Sequence, residues 1–169
     1  MSSKPPLRWS ADPALLRNPI HLFAFGFGSG LAPRAPGTFG TLVAVPIVLG
    51  VMQFGFAVHL AFAIVAAGAG IWLCGESARR LGVHDHPGIV WDEITGYTVT
   101  MLATWPSGQP HWWLLLGGFA LFRFFDIAKP WPIREADHSL SGGLGIMLDD
   151  IIAGIFAAAI LLATKLLIF

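Results

Sequence analysis

Between residues 35 and 75 the chain carries no Asp, Glu, Lys or Arg. A soluble domain usually keeps about a quarter of its residues charged. Here the charged share is 12% against 55% hydrophobic, and the mean hydropathy is +0.69. A helix crossing the hydrocarbon core needs roughly 20 apolar residues. The charge-free run is therefore long enough to cross twice, reversing near Gln53, Gly55 and His59. The expected spans are residues 38–52, bent at Pro46, and residues 56–78.

Three further apolar stretches follow. Residues 94–105 are short for a crossing and end at a turn, Trp105-Pro106-Ser107-Gly108. Residues 111–125 are interrupted only by Arg123, and a last span covers 146–168. Asp12-Pro13 reads as the start of an N-terminal helix lying on the membrane surface. The expected fold is thus all-α, a polytopic membrane bundle of about five helices in one domain over residues 1–169. Two of the five are short enough to be partly re-entrant.

Basic residues orient this layout. Of ten, nine fall on one side, and only Lys165 lies near the other end. The positive-inside rule makes the rich side cytoplasmic, with the N-terminus inside and the C-terminus outside. Zero net charge argues against a nucleic-acid partner. The single Cys74 excludes an internal disulfide.

All ten acidic residues fall on the same side. Asp92-Glu93 opens the third helix and Asp149-Asp150 the fifth. Capping accounts for one acid at a helix start, through the dipole. Two adjacent acids on each of two helices place up to four charges near the membrane, which is costly unless they are paired or metal-bound. Oxygen donors of this kind suit Mg²⁺. Gly96 and Gly154 would let the two helices pack closely and bring the pairs together.

Three other clusters share that side. Arg123 and Asp126, three apart, lie on one helical face. Lys129 and Arg134 follow around Pro130-Trp131-Pro132. Arg123 and Lys129 suit an anionic headgroup, and Arg134 is equally an ordinary inside anchor. A Gly-rich stretch runs from Gly26 through Ser29, Arg34 and Gly37 to Thr38, a candidate helix N-cap whose N–H groups could bind phosphate oxygens. On composition alone it is a membrane-entry loop. Finally, His84-Asp85-His86 could bind metal or move protons, or form a surface loop. Its place just before Asp92 favours the shared site. His21, His59 and His111 read as interfacial or packing residues.

Together these are the parts for phosphoryl chemistry on an anionic phospholipid that reaches the site laterally. Walker A, Asp-x-Asp and Cys-x5-Arg signatures are absent. A small cation or proton transporter using the inner-face carboxylates is the alternative, although it would want acids near the midplane. A purely structural subunit gives no reason for four polar clusters on one side.

Four segments resemble the phosphatidylglycerophosphatase A family: Gly26–Leu42 (GFGSGLAPRAPGTFGTL), Val83–Tyr97 (VHDHPGIVWDEITGY), Phe122–Arg134 (FRFFDIAKPWPIR) and Gly142–Gly154 (GGLGIMLDDIIAG). The likeness covers residues 18–162 in order and spacing. It implies a Mg²⁺-dependent enzyme of the bacterial inner membrane. That enzyme would convert phosphatidylglycerophosphate to phosphatidylglycerol and phosphate in phospholipid synthesis. By the same resemblance Asp92, Glu93, Asp149 and Asp150 match the family's acidic motifs, and Asp126 and Lys129 its middle motif.

Overall fold

A computed structural model describes residues 12–83, 86–105, 111–135 and 140–168. Among them there is no strand. A 3-10 turn at Pro13–Arg17 leads into a short helix, α1 (Pro19–Ala24). Asp12 caps the turn by accepting from the Ala14 N–H at 2.8 Å, the role its position before Pro13 implies. Then follow α2 (Pro36–Met52), α3 (Phe56–Leu81), α4 (Trp91–Met101), α5 (Trp112–Ala128) and α6 (Gly142–Ile168).

α4 is the shortest of the last five and the most enclosed. Its side chains from Ile94 to Thr98 are buried, as are Thr100 and Met101. Thr95, Thr98 and Thr100 each donate to the carbonyl four residues back, so no hydroxyl is left over. α2, α3, α5 and α6 surround it, and α6 packs along α3, α4 and α5. Eleven residues rise about 16 Å, roughly half the hydrocarbon core. α3 and α6 are long and apolar enough to cross a membrane, and α2 is a shorter apolar helix.

The outer surface is rich in apolar side chains. Of the most apolar window of α3, only 22% is buried within the protein. Ile64, Val65, Trp72, Leu116 and Ile127 all stand exposed, a density of apolar surface that a water-facing monomer rarely shows.

Three local expectations are corrected. α2 starts at Pro36, not Thr38: Pro sits in the first helical position, after a left-handed Ala35 (φ 48°), where its missing N–H costs nothing. Pro46 falls inside this helix, which runs on to Met52. His59 is not a turn residue but lies fully buried in α3. It is held by the Thr98 carbonyl at 3.1 Å and by the Trp105 indole N–H at 3.1 Å. α6 begins at Gly142, so Asp149 and Asp150 lie two turns inside it.

Candidate active site

The centre of the site follows from one helix crossing. A Cβ added at Gly154 on α6 would overlap the Gly96 carbonyl oxygen on α4, so these backbones touch because neither residue has a side chain. Asp92 precedes Gly96 by four residues, and Asp150 precedes Gly154 by four. Residues four apart share a helix face. One turn back from the crossing, both carboxylates therefore turn toward each other. Asp92, Glu93 and Asp150 each offer an oxygen, and these three atoms all lie within 4.8 Å of one another.

Asp149 is turned about 100° away from Asp150 on the same helix. It meets Lys129, whose Nζ donates to Asp149 Oδ2 at 2.6 Å. Lys129 ends α5 in the left-handed region (φ 40°), which carries its side chain back toward α6. Six residues earlier, on α5, Arg123 Nη1 pairs with Asp126 Oδ2 and stands 3.6 Å from Glu93 Oε1. Thus α5 ties α4 and α6 together at their acidic ends.

These charges do not balance. Five carboxylates (Asp92, Glu93, Asp126, Asp149 and Asp150) meet two cations, Arg123 and Lys129. Asp92 Oδ1, Glu93 Oε2 and Asp150 Oδ2 are buried without a hydrogen-bond partner. Leaving buried ionised oxygens unpaired costs several kcal/mol each, a cost that a bound cation would offset. All-oxygen donors with partnerless atoms facing a common point fit a hard divalent ion such as Mg²⁺. The capping explanation does not reach Asp149 and Asp150, because the dipole acts only within the first turn.

The N-terminus of α2 closes another side. A Cβ at Gly37 would collide with Glu93 Oε1 and come within 3.0 Å of Arg123 Nη1. The positive end of that helix therefore abuts the carboxylates. Thr38 lies half-buried in the same first turn.

The remaining sequence candidates stand elsewhere. Ser29 donates to the Gly26 carbonyl at 2.8 Å. The glycines around it pack on the segment entering α4: Gly30 against the Gly88 backbone, and Gly40 against Val90. This stretch braces α4. Arg34 and Arg134 are exposed. His86 Nδ1 accepts from the Gly88 N–H at 3.0 Å, and its ring lies 5.3 Å from that of Phe25. His84 and Asp85 lie outside the described residues.

A family model described as phosphatidylglycerophosphatase A matches residues 22–165. A protein of Escherichia coli (strain K12) named phosphatidylglycerophosphatase A is 43% identical over 146 residues, covering 86% of this chain and 83% of that protein. One of the same name from Haemophilus influenzae is 47% identical over 153 residues, covering 89% and 91%. A Bacteroides thetaiotaomicron protein named putative phosphatidylinositol-3-phosphatase is 36% identical over 141 residues, covering 80% and 87%. No solved structure matches the chain.

Proposed function

The chain belongs to the phosphatidylglycerophosphatase A family, and on that premise we propose that this phosphatase hydrolyses the terminal monoester of phosphatidylglycerophosphate with Mg²⁺ bound at Asp92, Glu93 and Asp150. The observation that carries the metal assignment is the convergence of these three carboxylates from two helices, with partnerless oxygens on each.

A divalent ion held there would offset the carboxylate charge and polarise a phosphoryl oxygen. Arg123 and Lys129 are the cations within reach of the substrate's other phosphate oxygens, and both can exchange a carboxylate partner for phosphate. The first turn of α2 adds the attraction of a helix N-terminus for an anion. The carboxylates thereby released, Asp126 and Asp149, are the bases available to take a proton from the attacking water. Water oxygen bonds to phosphorus, the ester P–O bond breaks, and the glycerol oxygen leaves with a proton. The products are phosphatidylglycerol and inorganic phosphate.

The apolar exterior and the basic residues gathered near the acidic end support a multi-pass protein of the bacterial inner membrane with this site on the cytoplasmic face. A substrate anchored by its acyl chains would then approach within the leaflet.

The test is phosphate release from phosphatidylglycerophosphate by purified protein. Activity should vanish with EDTA and return with Mg²⁺. Asp92→Asn should lower kcat by at least 10³-fold, in keeping with loss of an electrostatic centre, on the order of 10²–10³ for a single donor and more for a metal ligand. Phosphate release that EDTA leaves intact would remove the metal from the reading.

A further inference from the structure

A second concave surface lies on α1 and α3, apart from the helices that carry the carboxylates. A cleft of about 810 Å³ is lined by Asp12, Arg17, His21 and Arg80 among others. It adjoins a groove of about 450 Å³, and both are lined by Pro19 and Ile20. The groove is wholly apolar, with Phe23, Ala69, Trp72, Leu73 and Trp91 on its walls. From Arg80 back to Ala69 is eleven residues of α3, or about 16 Å of helix. That is a polar head and an apolar track of acyl-chain dimensions, aligned along one helix face.

The groove and the acidic cluster have no residue in common. Trp91 forms its inner wall, with its indole N–H fixed on the Ala66 carbonyl at 3.0 Å, and Asp92 lies beyond it on α4. At the polar end, burial and then the charge of Arg80 hold His21 below the usual imidazole value. Its Nδ1 lies 2.9 Å from Ser77 Oγ, so it contributes a neutral ring. Asp12 is engaged in capping the 3-10 turn. Glu76 is shared by Arg79 and Arg80. The cleft's own lining carries two arginines, Arg17 and Arg80, against one carboxylate, Asp12, and the excess is positive.

From this charge and shape we infer that the α1–α3 cleft and groove bind one anionic diacyl phospholipid. Its phosphate lies at Arg17 and Arg80, and an acyl chain runs past Phe23 and Trp72 to Trp91. This lipid is a resident of the fold and not the substrate being hydrolysed. The inference stands on the groove and does not require the phosphatase reading.

Native mass spectrometry of detergent-purified protein titrated with phosphatidylserine or phosphatidylcholine tests it. Phosphatidylserine is an anionic diester that is neither the proposed substrate nor its product. The wild type should hold one phosphatidylserine in preference to phosphatidylcholine. Arg17→Gln with Arg80→Gln should weaken that binding about thirtyfold, the effect of two interfacial arginines. Ala69→Phe, which fills the groove, should also displace it. Asp92→Asn should keep the lipid, since the carboxylate centre is not its site. Equal retention of phosphatidylcholine, unchanged phosphatidylserine binding in both groove variants, or loss of the lipid in Asp92→Asn would overturn the inference. So would binding that appears only after residues 1–11 are deleted, which would assign the cleft to the chain's own N-terminal segment.

Discussion

Gly154→Ala isolates the helix crossing from the chemistry, because it removes no polar atom. The new methyl would overlap the Gly96 carbonyl oxygen and stand 3.2 Å and 3.3 Å from the Gly96 carbonyl carbon and Cα. Relaxed contacts of this kind lie at about 3.5–4.0 Å, so α4 and α6 must part by roughly 1 Å. Overpacking costs about 1–3 kcal/mol, while replacing a helical Gly by Ala returns about 1 kcal/mol. The net loss is about 0–2 kcal/mol, and the protein should still fold. Catalysis is less tolerant. Asp150 lies one turn from the crossing, and a displacement of about 1 Å in a reacting constellation costs on the order of 10²-fold in rate. The assay pairs initial rates of phosphate release, measured across Mg²⁺ concentrations, with thermal melting in detergent. The expected result is a kcat about 10²-fold lower, a higher Mg²⁺ midpoint and a melting temperature within a few degrees of wild type. Gly68→Ala is the control, since a Cβ there meets nothing within 4 Å. It should keep full activity. If Gly154→Ala stays within about twofold of wild type (under about 0.4 kcal/mol), the crossing does not set the carboxylate geometry and the argument fails.

Two other perturbations separate neighbouring roles. Asp150→Asn should raise the Mg²⁺ requirement at least tenfold, whereas Asp149→Asn should leave that requirement near wild type and lower kcat, because its partner is Lys129; equal Mg²⁺ titrations for the two variants would erase the distinction. Lys165→Met removes the ammonium that donates to the Thr104 and Trp105 carbonyls at 2.7 and 3.1 Å, a loss of about 1–3 kcal/mol. It should lower the melting temperature by several degrees while the rate at low temperature persists, and an unchanged melt would assign those carbonyls another partner.

The charge-free run and its flanks were enough to read the helices, since an apolar stretch is a local signal of composition and length. The acidic steps were legible for the same reason: charges beside a membrane stand out. Their rotation was not read. Asp149 and Asp150 look equivalent as an adjacent pair, and only the shared Asp-x3-Gly spacing at Asp92–Gly96 and Asp150–Gly154 tells them apart. That spacing was present in the sequence and would have selected Asp150 as the partner of Asp92. The start of α6 was hidden for a different reason. Gly142, Gly143 and Gly145 read as loop by propensity, but a Cβ at Gly143 would overlap the Ile71 carbonyl oxygen of α3. Close packing holds these glycines in a helix that their own preference disfavours. The packing role read for His59 holds and only its place at the turn does not, because its partners, Thr98 and Trp105, lie far along the chain and leave no trace in the residues around it.

The two ends of the bundle treat buried polar groups in opposite ways. At one end His59, Trp105 and Lys165 bond to one another's elements: ring to carbonyl, indole to ring, ammonium to carbonyls. Those bonds finish the C-terminal end of α4 in an apolar setting, where an open carbonyl would be expensive, and they leave nothing over for a ligand. At the other end buried polar atoms of Asp92, Glu93, Arg123, Asp149 and Asp150 lack partners, and the carboxylates outnumber the cations. A fold gains no stability from gathering partnerless carboxylate oxygens beside an apolar core, and buried polar atoms left unsatisfied are the exception in native proteins. The divalent cation proposed above would offset that excess of carboxylate. The short α4 connects the two ends: its braced terminus fixes the depth at which Asp92 and Glu93 enter the bundle, and the glycine crossing fixes the side from which Asp150 meets them.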